Sequence, residues 1–150
     1  MSIWHHTPLL EELNAVIDGT IMRPLGIAFT EVGADFIRAA MPVDERTRQP
    51  YGLLHGGASV VLAETVGSTG ASLCIDPARF LCVGQEINAN HLRSVRSGRV
   101  IGTARPVHVG SRSQVWGIEI VNEAGALVCI SRLTMAILER TKVTGNCRSE

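Results

Sequence analysis

The distribution of apolar and polar positions divides the chain sharply. From Gln49 to Ile75 it reads QPYGLLHGGASVVLAETVGSTGASLCI, and between Gly57 and Ile75 the only charged residue is Glu64. This pattern predicts a turn followed by one long apolar helix, starting near Gly57 or Ala58 and ending before Asp76-Pro77. Upstream, TPLLEELNAV carries Leu9, Leu10, Leu13 and Val16 at helical spacing, with Thr7 placed as N-cap and Pro8 in the first turn. LGIAFTEVG and FIRAAMPV flank Gly33-Ala34-Asp35 and read as a hairpin, and DERTRQPYG reads as a polar loop. Downstream come four strand-like segments, FLCVGQEINANHL, GRVIGTARPVHVG, SQVWGIEIVN and ALVCISRLTMAIL. In the third, Trp116, Ile118 and Ile120 alternate with Gly117 and Glu119, the period of a sheet with one face covered. The short separators favour antiparallel pairing of consecutive strands.

These elements predict an α+β fold in which one antiparallel sheet curls around a central helix. We expect a single domain over residues 1–138 and a polar, frayed tail over 139–150. The helix is rich in glycine, alanine and serine. A glycine inside a helix costs about 1 kcal/mol relative to alanine, so Gly67 and Gly70 belong where strands, or a second subunit's helix, approach the backbone closely.

Composition adds three points. Charged residues are 19% of the 150, below the usual level of about 25%, which hints at surface covered by a partner subunit. The formal net charge is zero, so no overall field recruits nucleic acid or an anionic membrane. Cys74, Cys82, Cys129 and Cys147 form no CxxC pair and no zinc-like cluster. We expect the first three to be buried thiols of a reducing compartment, Cys147 to lie in the tail, and no metal. The N-terminus lacks the cationic start and apolar run of a signal peptide, and no stretch reaches the roughly 18 apolar residues of a membrane span. The expected location is the cytoplasm.

A lone carboxylate in an apolar helix needs a partner, an exit or a task. One reading pairs Glu64 with an arginine at a subunit boundary. The other gives it chemistry, and three features bear on it. Gly56 and Gly57 open the helix, where free N–H groups and the dipole suit a carbonyl oxygen gaining negative charge, although Gly-Gly also serves as a plain tight turn. Ser68 lies one turn beyond Glu64, with Thr65 and Thr69 nearby; such hydroxyls hold a carboxylate or a water, or simply allow close packing. Asn90, His91, Arg93, His108, Val109, Gly110, Ser111 and Arg112 fall at strand ends or in loops. Gly110-Ser111-Arg112 offers an N–H, a hydroxyl and a guanidinium to a phosphate, or forms an ordinary solvated turn. GxSxG, HExxH and GxxxxGK[ST] are absent.

RTRQPYGLLHGGASVVLAETVGSTGA, with VGQEINANHLR and VHVGSRSQVWGIEI, closely resembles the hotdog-fold acyl-CoA thioesterases. The nearest branch is the one that includes 1,4-dihydroxy-2-naphthoyl-CoA thioesterase and the enterobactin proofreading thioesterase. The resemblance runs from Trp4 to Leu138. It implies a curved sheet around a long helix, and dimers or dimers of dimers with active sites between subunits. It places the catalytic carboxylate at Glu64, the amide that polarises the thioester carbonyl at Gly56, and helpers at Gln49, His55 and Ser68. Gln49, His55 and Gly56 would face Glu64 of the other subunit. His91 would line the acyl pocket, and coenzyme A phosphates would lie around Val83-Gly84 and His108 to Arg112. The implied substrate is an aryl- or acyl-CoA thioester, or a carrier-protein thioester, with coenzyme A as part of the substrate and no cofactor. Two alternatives remain at this point, a hotdog dehydratase of 3-hydroxyacyl thioesters and a non-catalytic acyl-CoA sensor.

Overall fold

The computed structural model describes residues 2–140. Helix α1 (Leu10–Ala15) and a one-turn α2 (Met22–Leu25) lead into β1 (Ala28–Val32) and β2 (Ile37–Pro42). The long helix α3 (Gly56–Leu73) follows, then β3 (Phe80–His91), β4 (Arg99–Val109), β5 (Ser113–Asn122) and β6 (Leu127–Glu139). All strand pairs are antiparallel, in one six-stranded sheet of order β1-β2-β4-β5-β6-β3. The α+β architecture is as expected.

Three details differ from the sequence reading. α1 does not start at Thr7-Pro8. Leu9 holds the N-cap, and its N–H is taken by the Glu12 carboxylate at 2.9 Å, a backbone donor satisfied from the third helical residue instead of from a Thr7 hydroxyl. Helix α2 is short, ends at Gly26 with φ +67°, and carried no periodic signal. The pairing of consecutive strands fails between β3 and β4. β3 pairs with β6 at the sheet edge while β4 sits between β2 and β5. The link over residues 92–98 is long enough to cross the end of the sheet, where Leu92 N–H bonds to Val128 O and Leu54 N–H to Val95 O, both at 2.8 Å.

The core lies between the sheet and one face of α3. Ala58, Ser59, Leu62, Ala63, Val66, Gly67, Gly70 and Ala71 are buried on that face. A Cβ on Gly67 would lie 2.7 Å from Leu133 Cδ2, and one on Gly70 would lie 2.9 Å from Trp116 Cζ3. Both glycines are therefore needed by strands packed against the helix. The alternation in β5 is confirmed and reaches one residue further, since Gln114 is buried with Trp116, Ile118 and Ile120. Its side chain accepts from Trp116 Nε1–H at 2.9 Å and donates to Ala71 O at 3.4 Å, so this buried amide is not left unpaired.

The N-terminal arm is pinned across the end of α3. Trp4 stacks on Trp116 with ring centroids 6.1 Å apart, and its indole N–H donates to Gly33 O at 2.7 Å. Ile3 N–H bonds to Ala34 O at 3.0 Å and His5 N–H to Leu73 O at 2.8 Å. Asn14 clips α1 to β1 by bonding both the N–H and the carbonyl of Phe29. At the other terminus β6 runs to Glu139, and Arg140 is tied to Pro77 and Arg79. Strand β6 thus ends one residue after the expected boundary at 138, and Cys147 with the rest of the tail lies outside the described residues. Cys129 is buried, whereas Cys74 and Cys82 are half-buried. Burial pushes the Cys74 and Cys82 thiols up to about 11, which keeps them protonated. Among the described residues no helix is long and apolar enough to cross a membrane, and no cluster of His, Cys, Asp and Glu could hold a metal ion.

Candidate functional site

The sequence-selected residues fall into two groups at different points of α3. The first surrounds its N-terminus. Residues 47–55 form a tight excursion: Pro50 and Tyr51 turn the chain, Gly52 sits at φ +75° with its N–H on Gln49 O at 2.9 Å, and Arg48 bridges to Leu54. The excursion is anchored by buried Thr47, whose hydroxyl donates to Pro42 O at 2.8 Å and whose carbonyl accepts from His55 N–H at 2.8 Å. His55 is the N-cap of α3, and its Nδ1 accepts from Gly57 N–H at 2.8 Å, which leaves the imidazole proton on Nε2. Gln49 uses its side-chain oxygen to accept from Tyr51 N–H.

The Gly56 N–H has no acceptor among the described residues. A Cβ on Gly56 would lie 2.7 Å from His91 Nε2, so glycine is what lets the imidazole reach the helix start. Gln49, Leu54, Gly56, His91 and Arg93 line one pocket of about 310 Å³. Asn90 is not part of it. Ile87 and Ala89 pack towards the core, so alternation along β3 turns Asn90 to the opposite face of the sheet.

The second group surrounds Glu64, eight residues further along, which is about 12 Å of helix rise. Glu64 lies outside the buried face of α3, half-buried beside Gly84 of the edge strand β3, with no hydrogen bond or ion pair among the described residues. Burial raises its carboxyl above the ordinary value. Within this chain no described arginine pairs with it. The neighbouring hydroxyls do not hold Glu64 either. Thr65 donates to Val61 O at 2.7 Å and Ser68 to Thr65 O at 3.4 Å, which leaves their oxygens as acceptors towards the open side.

Glu64 and Ser68 share a mostly apolar pocket of about 470 Å³ with Thr20, Ile21, Met22, Val60 and Val61. Thr20 and Ile21 escaped the sequence reading because they lie in an irregular segment between two short helices. Gly84 also belongs here: a Cβ at that position would lie 2.5 Å from Glu64 Oε1. The register shifts between Gly84 and Glu86, so a β-bulge sits where the strand meets the carboxylate. Val83 faces outward and is 42% exposed.

Across the sheet, Gly84 is in register with Met135, Gln114 and Val109 in turn. This row brings the β4–β5 turn to the same end of the sheet as Gly84, about three strand spacings of 4.8 Å away. Within that turn His108 Nε2 lies over Gly110, and Gly110 N–H bonds to Ser113 O at 3.0 Å. Ser111 and Arg112 are exposed, and Arg112 has no acidic partner among the described residues.

The sequence profile of the thioesterase superfamily matches residues 51–129, which span α3, β3, β4, β5 and the first residues of β6. The chain belongs to the thioesterase superfamily. Within this superfamily it is 56% identical over 136 residues to the 1,4-dihydroxy-2-naphthoyl-CoA hydrolase of Escherichia coli, covering 91% of this chain and 99% of that protein. It is 49% identical over 136 residues to the proofreading thioesterase EntH of Cronobacter sakazakii, covering 91% and 98%. Among solved structures, a glutamine-to-alanine variant of a Pseudomonas aeruginosa thioesterase superposes with a TM-score of 0.91 at 51% identity, covering 92% of this chain and 99% of that one. This thioesterase has the hotdog fold, and it is a thioester hydrolase.

Proposed function

We propose that the enzyme hydrolyses aryl- or acyl-CoA thioesters, with carrier-protein thioesters as further substrates, at sites shared between two subunits. One observation carries the reading: the free Gly56 N–H and the unpartnered Glu64 carboxylate lie on one helix about 12 Å apart, too far to act on one carbonyl. Two copies of α3 running in opposite directions would bring each Gly56 opposite the other copy's Glu64. A dimer then has two sites, and a dimer of dimers four.

In each site the Gly56 amide binds the carbonyl oxygen as it gains negative charge, aided by Gln49 and by the His55 cap that orders the helix start. Glu64 acts on the carbonyl carbon, either by taking a proton from an attacking water or by attacking directly to form an anhydride that water then opens. In both routes the C–S bond breaks and the thiolate leaves without a strong acid to assist it. Burial holds the Glu64 carboxyl above its ordinary value, which brings it closer to the basicity that proton transfer near neutrality requires. Ser68 offers its oxygen to the water beside Glu64, and His91 lines the acyl pocket with Arg93 at its rim. The phosphates of coenzyme A lie along Val83-Gly84 and the turn from His108 to Arg112, where the guanidinium of Arg112 is free to bind them.

The decisive experiment mixes two inactive proteins, Glu64→Ala and Gly56→Pro, the latter lacking the N–H. Each alone should be nearly inactive. In a mixed dimer one site inherits both lesions and the other neither, so up to roughly half the native rate per mixed dimer should return. If exchange of subunits is verified, Gly56→Pro keeps the native oligomer size and no activity returns, the shared-site reading is wrong.

A further inference from the structure

The buried polar residues among those described are Thr47, Ser59, Gln114 and Ser131. Gln114 ties the sheet to α3, and Ser131 ties β6 to β3. Thr47 joins three segments at once. Its hydroxyl donates to Pro42 O at 2.8 Å and accepts from Asp44 N–H at 3.2 Å, so both sides of the oxygen are used. Pro42 is the last residue of β2 and is in register with Arg99 of β4, which makes its carbonyl part of the sheet. The main-chain carbonyl of Thr47 then accepts from His55 N–H at 2.8 Å. One buried residue thus connects the sheet to the residue that caps α3.

The peptide unit after that cap carries the free donor. His55 C=O and Gly56 N–H belong to one planar trans peptide, so they point in opposite directions. The carbonyl is turned into the helix, where it accepts from Ala58 N–H at 3.0 Å and Ser59 N–H at 3.2 Å. The Gly56 N–H is therefore turned out of the helix start. These bonds set its direction relative to α3, and the bond from His55 N–H to Thr47 ties the same unit to the sheet. The remaining contacts of the loop use main-chain groups or an exposed arginine: Gln49 N–H to Leu53 O and Leu54 N–H to Val95 O, both at 2.8 Å, and Arg48 Nε–H to Arg96 O at 3.0 Å.

We infer that Thr47 is a positioning residue for thioester hydrolysis, holding the Gly56 amide where the carbonyl oxygen needs it without touching substrate. This rests on the assignment of Gly56 as the donor to that oxygen. Loss of the hydroxyl leaves Pro42 O and Asp44 N–H unpaired in a buried place. The relief is a shift of residues 44–47, which carry the Thr47 carbonyl and with it the cap. A misplacement of about 1 Å in an active site can cost about 10²-fold in rate, so a smaller shift should cost about tenfold. The bond to the oxygen strengthens only as charge develops, so the loss falls on kcat and not on KM.

The test compares Thr47→Val and Thr47→Ala, which lose the hydroxyl, with Thr47→Ser, which keeps it. Two deletions are used so that a fold defect in one leaves the other to decide. With benzoyl-CoA and octanoyl-CoA, Thr47→Val should lose about tenfold in kcat with KM changed by less than about twofold, and Thr47→Ser should stay near wild type in both. The same substitutions are then combined with Glu64→Gln, which leaves the thioester intact. The ester that wild type turns over faster, labelled with 13C at its carbonyl, is bound to each protein and its carbonyl stretch is read by infrared difference spectroscopy. Only bound ester contributes, so a smaller folded fraction weakens the band without moving it. Binding to Glu64→Gln should lower the frequency, Thr47→Val should remove roughly half of that shift or more, and Thr47→Ser should keep it.

Native kcat in a folded Thr47→Val or Thr47→Ala protein overturns the inference, as does a Thr47→Ser protein as impaired as Thr47→Val. So does a slow Thr47→Val protein that keeps the full carbonyl shift, since Thr47 would then serve only the fold. A bound carbonyl that does not shift in Glu64→Gln itself, or a wild type that hydrolyses neither ester, is a different result. It overturns the assignment of Gly56, and the role of Thr47 with it.

Discussion

The two faces of α3 obey opposite rules. Towards the sheet, every position is small or aliphatic and in contact, and even a single methyl group on Gly67 or Gly70 would collide with Leu133 or Trp116. Outside that buried face, Val60, Val61, Glu64, Thr65, Ser68 and Thr69 are only half-buried, and the charged member has no partner among the described residues. The first face is the kind of jigsaw contact that stabilises a fold. The second holds a carboxylate in surroundings that disfavour its charge, a cost that stability alone would have removed. The helix thus separates its two duties by angle, and a substitution should damage one duty with little effect on the other.

The largest expected effect is on the open face. Glu64→Gln should lower kcat/KM by about 10²-fold or more, the range for loss of a positioned base or nucleophile, while circular dichroism and oligomer size stay native. Near-native turnover by that variant would return Glu64 to a structural role. On the buried face, Gly67→Val should do the reverse. Overpacking against Leu133 should cost about 2 kcal/mol or more in denaturant unfolding, and whatever fraction remains folded should turn over normally. A stable but inactive Gly67→Val protein would break the division between the faces.

Arg112 lies outside both faces, in the β4–β5 turn. Arg112→Ala should raise KM for CoA esters severalfold with little change in kcat, because the contact it loses is made equally in ground and transition states. A short thioester without the nucleotide should be unaffected, and an equal penalty on both substrates would remove Arg112 from the phosphate site.

The smallest effect concerns pH. The folded carboxyl of Glu64 titrates above its unfolded value, so this group favours the fold at low pH and the contribution is lost as pH rises through the raised value. Glu64→Gln should match wild type in Tm under acid conditions and exceed it slightly near neutrality. A variant less stable than wild type at neutral pH would mean that the carboxylate is paired in the assembled enzyme.

Much of this was legible in the chain because it rests on local pattern. The bounds of β5 follow from its alternation, and the isolation of Glu64 is a property of the sequence itself. The position of β3 at the sheet edge was not legible, since nothing in the residues 92–98 distinguishes a crossing from a hairpin turn. Thr20 and Ile21 stayed hidden as pocket walls for the same reason: their role depends on where a non-periodic segment is carried by α1. Gly84, which resemblance placed near the coenzyme A phosphates, also lies against Glu64 beside the bulge in β3, a contact that no periodicity in the sequence announces.

The chain contains two tryptophans, and both are in the stack that holds the arm. Intrinsic fluorescence is therefore a site-specific signal without any label. Global unfolding would expose both indoles, but a lifting of the arm alone would separate Trp4 from Trp116 while leaving Trp116 under α3. Emission recorded as acyl-CoA esters are added can thus show whether the arm lifts when substrate binds.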